Sequence, residues 1–285
     1  MARKKALIML IIAAVLWSTG GILIKNINQN AFVIAGTRSG IAACVIFIYL
    51  HKQKIKTYPT KNNLVGALLY MLMVVLYVIA NKLTSAANAI LLQFSAPIWV
   101  AILAKYFLNE DIKKQDLVAI ILVISGLTIF FIENLSFTQV LGNSLAVLSG
   151  VALASVVICF KLTGSDSAIT TTFLGNSLTF ITCFIFVIKA NFSYGDIINL
   201  MVLGIFQLGI SYVVYSIAVQ HVTAVEAILI TVIEPILNPI WVFIFSGEKL
   251  TLNALMGGTI VVLTIVVRAI YNTKKSNLIN NNTYN

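Results

Sequence analysis

"AANAILLQFSAPIWVAILAKYFLNEDI", residues 86–112, returns 138 residues later as "AVEAILITVIEPILNPIWVFIFSGEKL", residues 224–250, with no gap needed to align the two. A chain rich in Ile and Leu matches itself by chance, so the weight falls on rarer coincidences. Pro97 falls on Pro235, Glu110 on Glu248 and, in the preceding apolar run, Tyr77 on Tyr215. Each copy is apolar over roughly the length of a membrane span and carries proline in its interior, where a helix loses a hydrogen bond. The repeat therefore divides the chain into two comparable halves.

The 285 residues are 60% hydrophobic and only 10% charged, with a mean hydropathy of +0.99. Soluble domains carry about 25% charged residues. Apolar runs recur at 6–24, 32–50, 63–82, 85–107, 116–133, 141–160, 168–189, 197–219, 223–245 and 252–270. Each can cross a hydrocarbon layer of ~30 Å as a helix. None alternates as the strands of a membrane barrel would. The first run follows Arg3, Lys4 and Lys5, but it is longer than a typical signal-peptide core and no small-residue cleavage site follows, so it reads as a retained helix. The expected fold is an all-α polytopic membrane protein with ten transmembrane helices. Five spans per half is an odd number, so the second half enters the membrane from the opposite side. Two inverted five-helix repeats follow, an arrangement common in secondary transporters.

Basic residues orient the bundle. With the N-terminus cytoplasmic, 14 of the 19 Lys and Arg fall on inside segments, 4 (Lys25, Lys82, Lys189 and Lys249) on outside segments, and Arg38 lies within a span. Positive charge gathers on the cytoplasmic side, so both termini, including the polar tail 272–285, are expected in the cytoplasm of a multi-pass cell-membrane protein. The formal charge of +10 is then topology and lipid contact, spread over short loops, and not a nucleic-acid surface. Cys44, Cys159 and Cys183 fall in spans without paired spacing, and His51 and His221 are far apart. No metal site or other cofactor is expected. No GxxxxGK[ST] loop occurs, which argues against direct ATP drive by this chain. An enzyme would need a nucleophile–base pair or metal ligands at depth, and neither histidine lies there.

"AAVLWSTGGILIKN" in the first span, an arginine early in the second, "NEDI" after the fourth and "SGEKLT" after the ninth resemble the two EamA domains of the drug/metabolite transporter superfamily. The likeness covers 6–132 and 142–268. It implies a ten-helix inverted-repeat carrier of small organic solutes, often amino acids or related metabolites, frequently moved outward. The second half departs from the first at Ala154-Ser155 against Trp17-Ser18, at Asn176 against Arg38, and at Gly247 against Asn109.

The polar residues at depth mark the candidate site. Glu234 sits at the centre of the ninth span, where a carboxylate costs about 2.5–3.5 kcal/mol on insertion scales. Thr231, Glu234, Asn238 and Trp241 step by three and four, share one helix face and are expected to face inward. Pro235 and Pro239 release the carbonyls of Thr231 and Pro235, and Pro97 releases that of Gln93 at the matching place. Interrupted spans in corresponding positions point to a transporter's midplane site; packing kinks are the alternative. Similar stripes run through Tyr70, Met73 and Tyr77, through Thr172, Asn176 and Thr179, and through Gln207, Ser211 and Tyr215. Interhelical packing by small and hydroxylated residues competes with cavity lining there. Trp17 lies too deep for the interfacial belt. The expected substrate-binding set is Trp17, Tyr77, Gln93, Asn176, Gln207, Ser211, Tyr215, Thr231, Glu234 and Asn238. Arg38 is assigned a structural or gating role, although it could also meet a substrate anion, and Glu110 and Glu248 are read as turn residues.

The functional expectation is a secondary carrier, an exporter of a small organic solute such as an amino acid or amine, working by alternating access. A passive channel is the alternative, and a membrane-embedded enzyme a weaker one. Glu234 could take up a proton and a substrate amine in turn, coupling export to proton entry, or only orient the solute in a uniporter.

Overall fold

The computed structural model describes residues 3–56, 59–134, 138–237, 241 and 251–282. Every regular element among them is a helix. These are α1 (Arg3–Trp17), α2 (Gly20–Asn26), α3 (Ala31–Lys52), α4 (Lys61–Leu83), α5 (Ala86–Gln93), α6 (Ala96–Phe107), α7 (Lys114–Phe131), α8 (Val140–Thr163) and α9 (Ser165–Val187). There follow α10 (Tyr194–Val202), a π-helical segment (Leu203–Ile210), α11 (Ser211–Ala218), α12 (Ala224–Thr231) and α13 (Leu252–Asn282).

Taken singly or as near-continuous groups, 9 segments among the described residues are long and apolar enough to cross a membrane, from Arg3–Asn26 to Leu252–Asn272. They lie within a few residues of the expected spans. The run at 223–245 is described as α12, helical residues 233–237 and Trp241. Asn238, Pro239 and Glu248 lie outside the described residues.

The helices begin where side chains can satisfy the first free N–H groups. Asn30 accepts from Val33 N, Thr60 and Asn63 form a reciprocal capping box, and Ser193 pairs likewise with Asp196. Ser85 caps α5 and Thr223 caps α12, positions separated by the same 138 residues as the repeat. Asn109 adopts a left-handed conformation (φ 52°) after α6, which Asn tolerates better than most side chains. Large apolar residues cover the outside, among them Phe47, Ile181, Ile185 and Val267. That is the arrangement a lipid-facing surface needs, since the solvent there is itself apolar.

Packing pairs the two halves. Helix α3 lies on α9, α7 on α13, and α12 on α6. Further contacts between the halves run crosswise: α4 packs on α8 and α9, while α11 packs on α1 and the π-helical segment packs on α3. At the α7–α13 crossing a Cβ on Gly257 would stand 2.4 Å from the carbonyl oxygen of Gly126 and from the backbone nitrogen of Phe130. Only glycine allows this approach, as small residues do generally in membrane bundles.

The two ends of the bundle differ. At one, Lys25 Nζ donates to the Thr84 carbonyl (2.8 Å) and Lys82 Nζ to that of Ile27 (2.7 Å), while Asp196 holds Asn28 N and Gln29. At the other, Lys161 Nζ donates to the Val222 carbonyl (2.7 Å) and Arg3 pairs with Glu226. Arg268 grips Asp116 through Nε and Nη2 (3.1 and 2.7 Å). These charges line an open vestibule of about 560 Å³.

Candidate functional site

Two spans break at matching places. Helix α5 ends at Gln93 and α6 begins at Ala96, with Pro97 in its first turn, so the interruption falls at Phe94–Ser95. Helix α12 ends at Thr231 and helical structure resumes at Ile233, so its interruption falls at Val232. Phe94 and Val232 are 138 residues apart, like the prolines that follow them. Proline is well suited to a helix's first turn because the N–H it lacks would have no partner there.

The break at Phe94–Ser95 is pressed against α8. A Cβ on Gly150 would lie 2.5 Å from the Gln93 carbonyl oxygen and 3.0 Å from Ser95 Oγ. Beside it, Ser149 Oγ accepts from Gln93 Nε2 (2.7 Å) and donates to the Met73 carbonyl (3.0 Å). One serine thus ties three helices together and fixes the Gln93 amide.

Between the two breaks is a cavity of about 40 Å³. Its walls come from both halves: Trp17, Arg38, Met73, Val74, Tyr77, Gln93 and Phe94 from the first, and Leu153, Gln207, Leu208, Tyr212, Thr231 and Glu234 from the second. The volume admits a few waters and is far below the ~300–1,000 Å³ of pockets that hold drug-sized ligands. The walls must part to admit an organic solute.

Six of the expected substrate-binding residues meet here: Trp17, Tyr77, Gln93, Gln207, Thr231 and Glu234. Three lie elsewhere. Asn176 Nδ2 donates to Tyr70 Oη (3.0 Å) and to the Thr172 carbonyl, inside the packing of α9 against α4. Ser211 Oγ donates to the Gln207 carbonyl. Tyr215 lies behind the wall, its ring 5.0 Å from that of Trp17. Asn238, as noted, lies outside the described residues. Glu110 caps α12 from the vestibule, its Oε2 accepting from Ala224 N at 3.0 Å, with Lys161 at 3.8 Å from Oε1.

Two features escaped sequence reasoning. The first span breaks at Ser18–Thr19, between α1 and α2. Ser18 Oγ there accepts from Trp241 Nε1 (2.8 Å), which carries the Thr231–Glu234–Trp241 stripe across to the other half. The eighth span is π-helical over Leu203–Ile210. The longer i→i+5 turn brings Gln207 and Tyr212 to one face, where a 3.6-residue period joins Gln207 with Ser211. Tyr212 is the wall residue that the regular period misses, and it packs on Trp17 with ring centroids 4.8 Å apart.

An acidic and a basic side chain share the cavity. Arg38 is 1% exposed; its Nη1 donates to Gln207 Oε1 (3.0 Å), and its Nε has no hydrogen-bond partner among the described residues. Glu234, 8% exposed, hydrogen-bonds to none of the described residues, and the two form no ion pair.

The model of the EamA-like transporter family matches residues 4–132 and again 140–269. A protein of Archaeoglobus fulgidus described as an uncharacterized transporter is 22% identical over 262 residues, covering 90% of this chain and 94% of its own. Another so described, from Clostridium kluyveri, is 22% identical over 299 residues and covers 96% of both chains. A solved crystal structure superposes with a TM-score of 0.81 at 14% identity over 95% of this chain and 99% of the other, a likeness of fold.

Proposed function

The chain belongs to the EamA-like transporter family, and from that premise we propose that it is a secondary carrier exporting a small amine-bearing organic solute by alternating access around the cavity between the two span breaks. The carrying observation is Glu234: a carboxylate with no protein partner among the described residues, in a cavity walled by both halves and by the rings of Trp17, Tyr77, Phe94 and Tyr212. An intramembrane acid without a protein partner is expensive. A solute ammonium would satisfy the charge, and the aromatic faces attract a cation.

In this reading the chain has ten spans in two inverted repeats, 6–132 and 142–268, in the cell membrane with both termini cytoplasmic. The 14-to-4 distribution of basic residues supports the orientation. The breaks 138 residues apart and the crosswise packing of the halves support the repeat. The vestibule lined by Arg3, Lys161 and Arg268 then faces the cytoplasm, as loading for export requires. The opposite end is laced by Lys25 and Lys82. Rocking one half against the other would part the cavity walls towards each face in turn. A proton on Glu234 in place of the ammonium would let the carrier return without solute, coupling export to proton entry.

A thermal-shift screen of amines, amino acids and neutral metabolites on purified protein tests the reading. Amine-bearing solutes should raise the melting temperature of the wild type, and the shift at a given solute concentration should be smaller in Glu234→Gln. Equal shifts with neutral metabolites, or unchanged shifts in Glu234→Gln, would remove the amine and its acid from the account.

A further inference from the structure

We propose that Arg38 is a substrate-binding residue and that the cavity is a two-pole site for a zwitterion, with the anionic group of the solute on Arg38 and its ammonium on Glu234. The inference rests on the carrier reading above and adds to it a second pole. Arg38 is not at the bundle's edge, where its long side chain would reach the headgroups. It is buried, lines the same cavity as Glu234, and belongs to α3 of the first half, while Glu234 belongs to the second.

Its bonding is incomplete in an informative way. Gln207, on the π-helical segment, takes Nη1 and so holds the guanidinium by one side. The Nε–H has no partner among the described residues. A guanidinium offers five donors in a planar fork matched to a carboxylate's two oxygens. A purely structural arginine in a dry interior would be expected to spend those donors on carbonyls or on an acid. An acid is present in the same cavity, yet the two form no ion pair.

Buried opposite charges left unpaired forgo the attraction that would offset their desolvation. A solute with both charges restores it at each pole, with no net charge added to the membrane interior. A simple amine answers Glu234 and leaves Arg38 unanswered; a simple acid does the reverse. The site should therefore rank a zwitterion above both of its one-charge relatives. The poles stand on opposite halves, so the same solute would also bridge the two bodies that must close around it.

Matched sets that vary charge at constant side chain test this: alanine, ethylamine and propionate; leucine, isoamylamine and 4-methylvalerate; phenylalanine, phenethylamine and 3-phenylpropionate. Titration calorimetry on the full-length wild type should find, in at least one set, the amino acid bound roughly ten- to a hundredfold more tightly than either relative, the value of one charge-assisted hydrogen-bonded contact. Arg38→Gln should collapse the amino acid-to-amine ratio towards one, and Glu234→Gln the amino acid-to-acid ratio. A general loss of structure would weaken all ligands together and leave the ratios intact. Should Arg38→Gln fail to fold, the wild-type ranking decides alone. A wild type that binds the amine as well as the amino acid, or an Arg38→Gln ratio equal to wild type, overturns the two-pole site and leaves the amine carrier standing. Binding of neither amino acid nor amine overturns both.

Discussion

Gly150→Ala should damage this protein where a helical glycine-to-alanine change ordinarily helps. In an unencumbered helix the substitution gains about 1 kcal/mol of propensity. Here the new methyl would stand 2.5 Å from the Gln93 carbonyl oxygen, while ordinary contact begins near 3.4 Å, so α8 must retreat by about 0.9 Å. It cannot do so freely, because Ser149 bonds the Met73 carbonyl on α4 and the Gln93 amide at once. Overpacking of this kind costs about 1–3 kcal/mol, and a lost neutral hydrogen bond about 1 kcal/mol. Set against the propensity gain, the net destabilisation is about 1–3 kcal/mol. Thermal unfolding of the purified protein should show a melting temperature lower by several degrees. Solute binding should weaken as well, because Gln93 forms part of the cavity wall. Gly195→Ala is the control: the nearest atom to its new methyl is 3.8 Å away, and its melting temperature should hold or rise. If Gly150→Ala behaves like Gly195→Ala, the α5–α6 break is not pressed against α8 and the site's geometry is wrong.

Pro97→Ala should fold within about 1 kcal/mol of wild type, since the proline occupies a first-turn position, yet lower solute flux in liposomes; normal flux would reduce the break to a packing feature. Asp116→Ala should destabilise by about 3–5 kcal/mol by stranding the buried Arg268, and the paired Asp116→Leu, Arg268→Met change should recover most of the melting temperature. A reporter fused after Lys275 should be cytoplasmic, and reporters in the 25–31 and 189–196 loops external; an external C-terminus would sink the ten-span topology. Glu234→Gln should retain solute exchange at reduced affinity but no longer respond to an imposed pH gradient, and a mutant that still follows the gradient would place proton coupling elsewhere.

The all-helical, many-span architecture was legible because membrane spans announce themselves by length and hydropathy, and the matching breaks because Pro97 and Pro235 leave a chemical mark. Glu234, Thr231, Gln93 and Gln207 were legible as polar residues too costly to face lipid. The π-helical segment carries no such mark: it is a change of phase in an apolar run, and it put Tyr212 on the wall where a regular helix would have put Ser211. The break at Ser18–Thr19 was silent too, since serine, threonine and glycine also occur in unbroken spans. Arg38 could be placed by depth but not by direction, because a long side chain near a span's end can turn to either the headgroups or the core.

Counterflow distinguishes one cavity between two halves, opened to each side in turn, from a continuous pore. Proteoliposomes loaded with an unlabelled amine-bearing solute that stabilises the protein should draw in the labelled solute transiently above its outside concentration, with an initial rate that saturates. Flux that rises linearly with concentration and shows no overshoot would mean a continuous pore and would rule out alternating access.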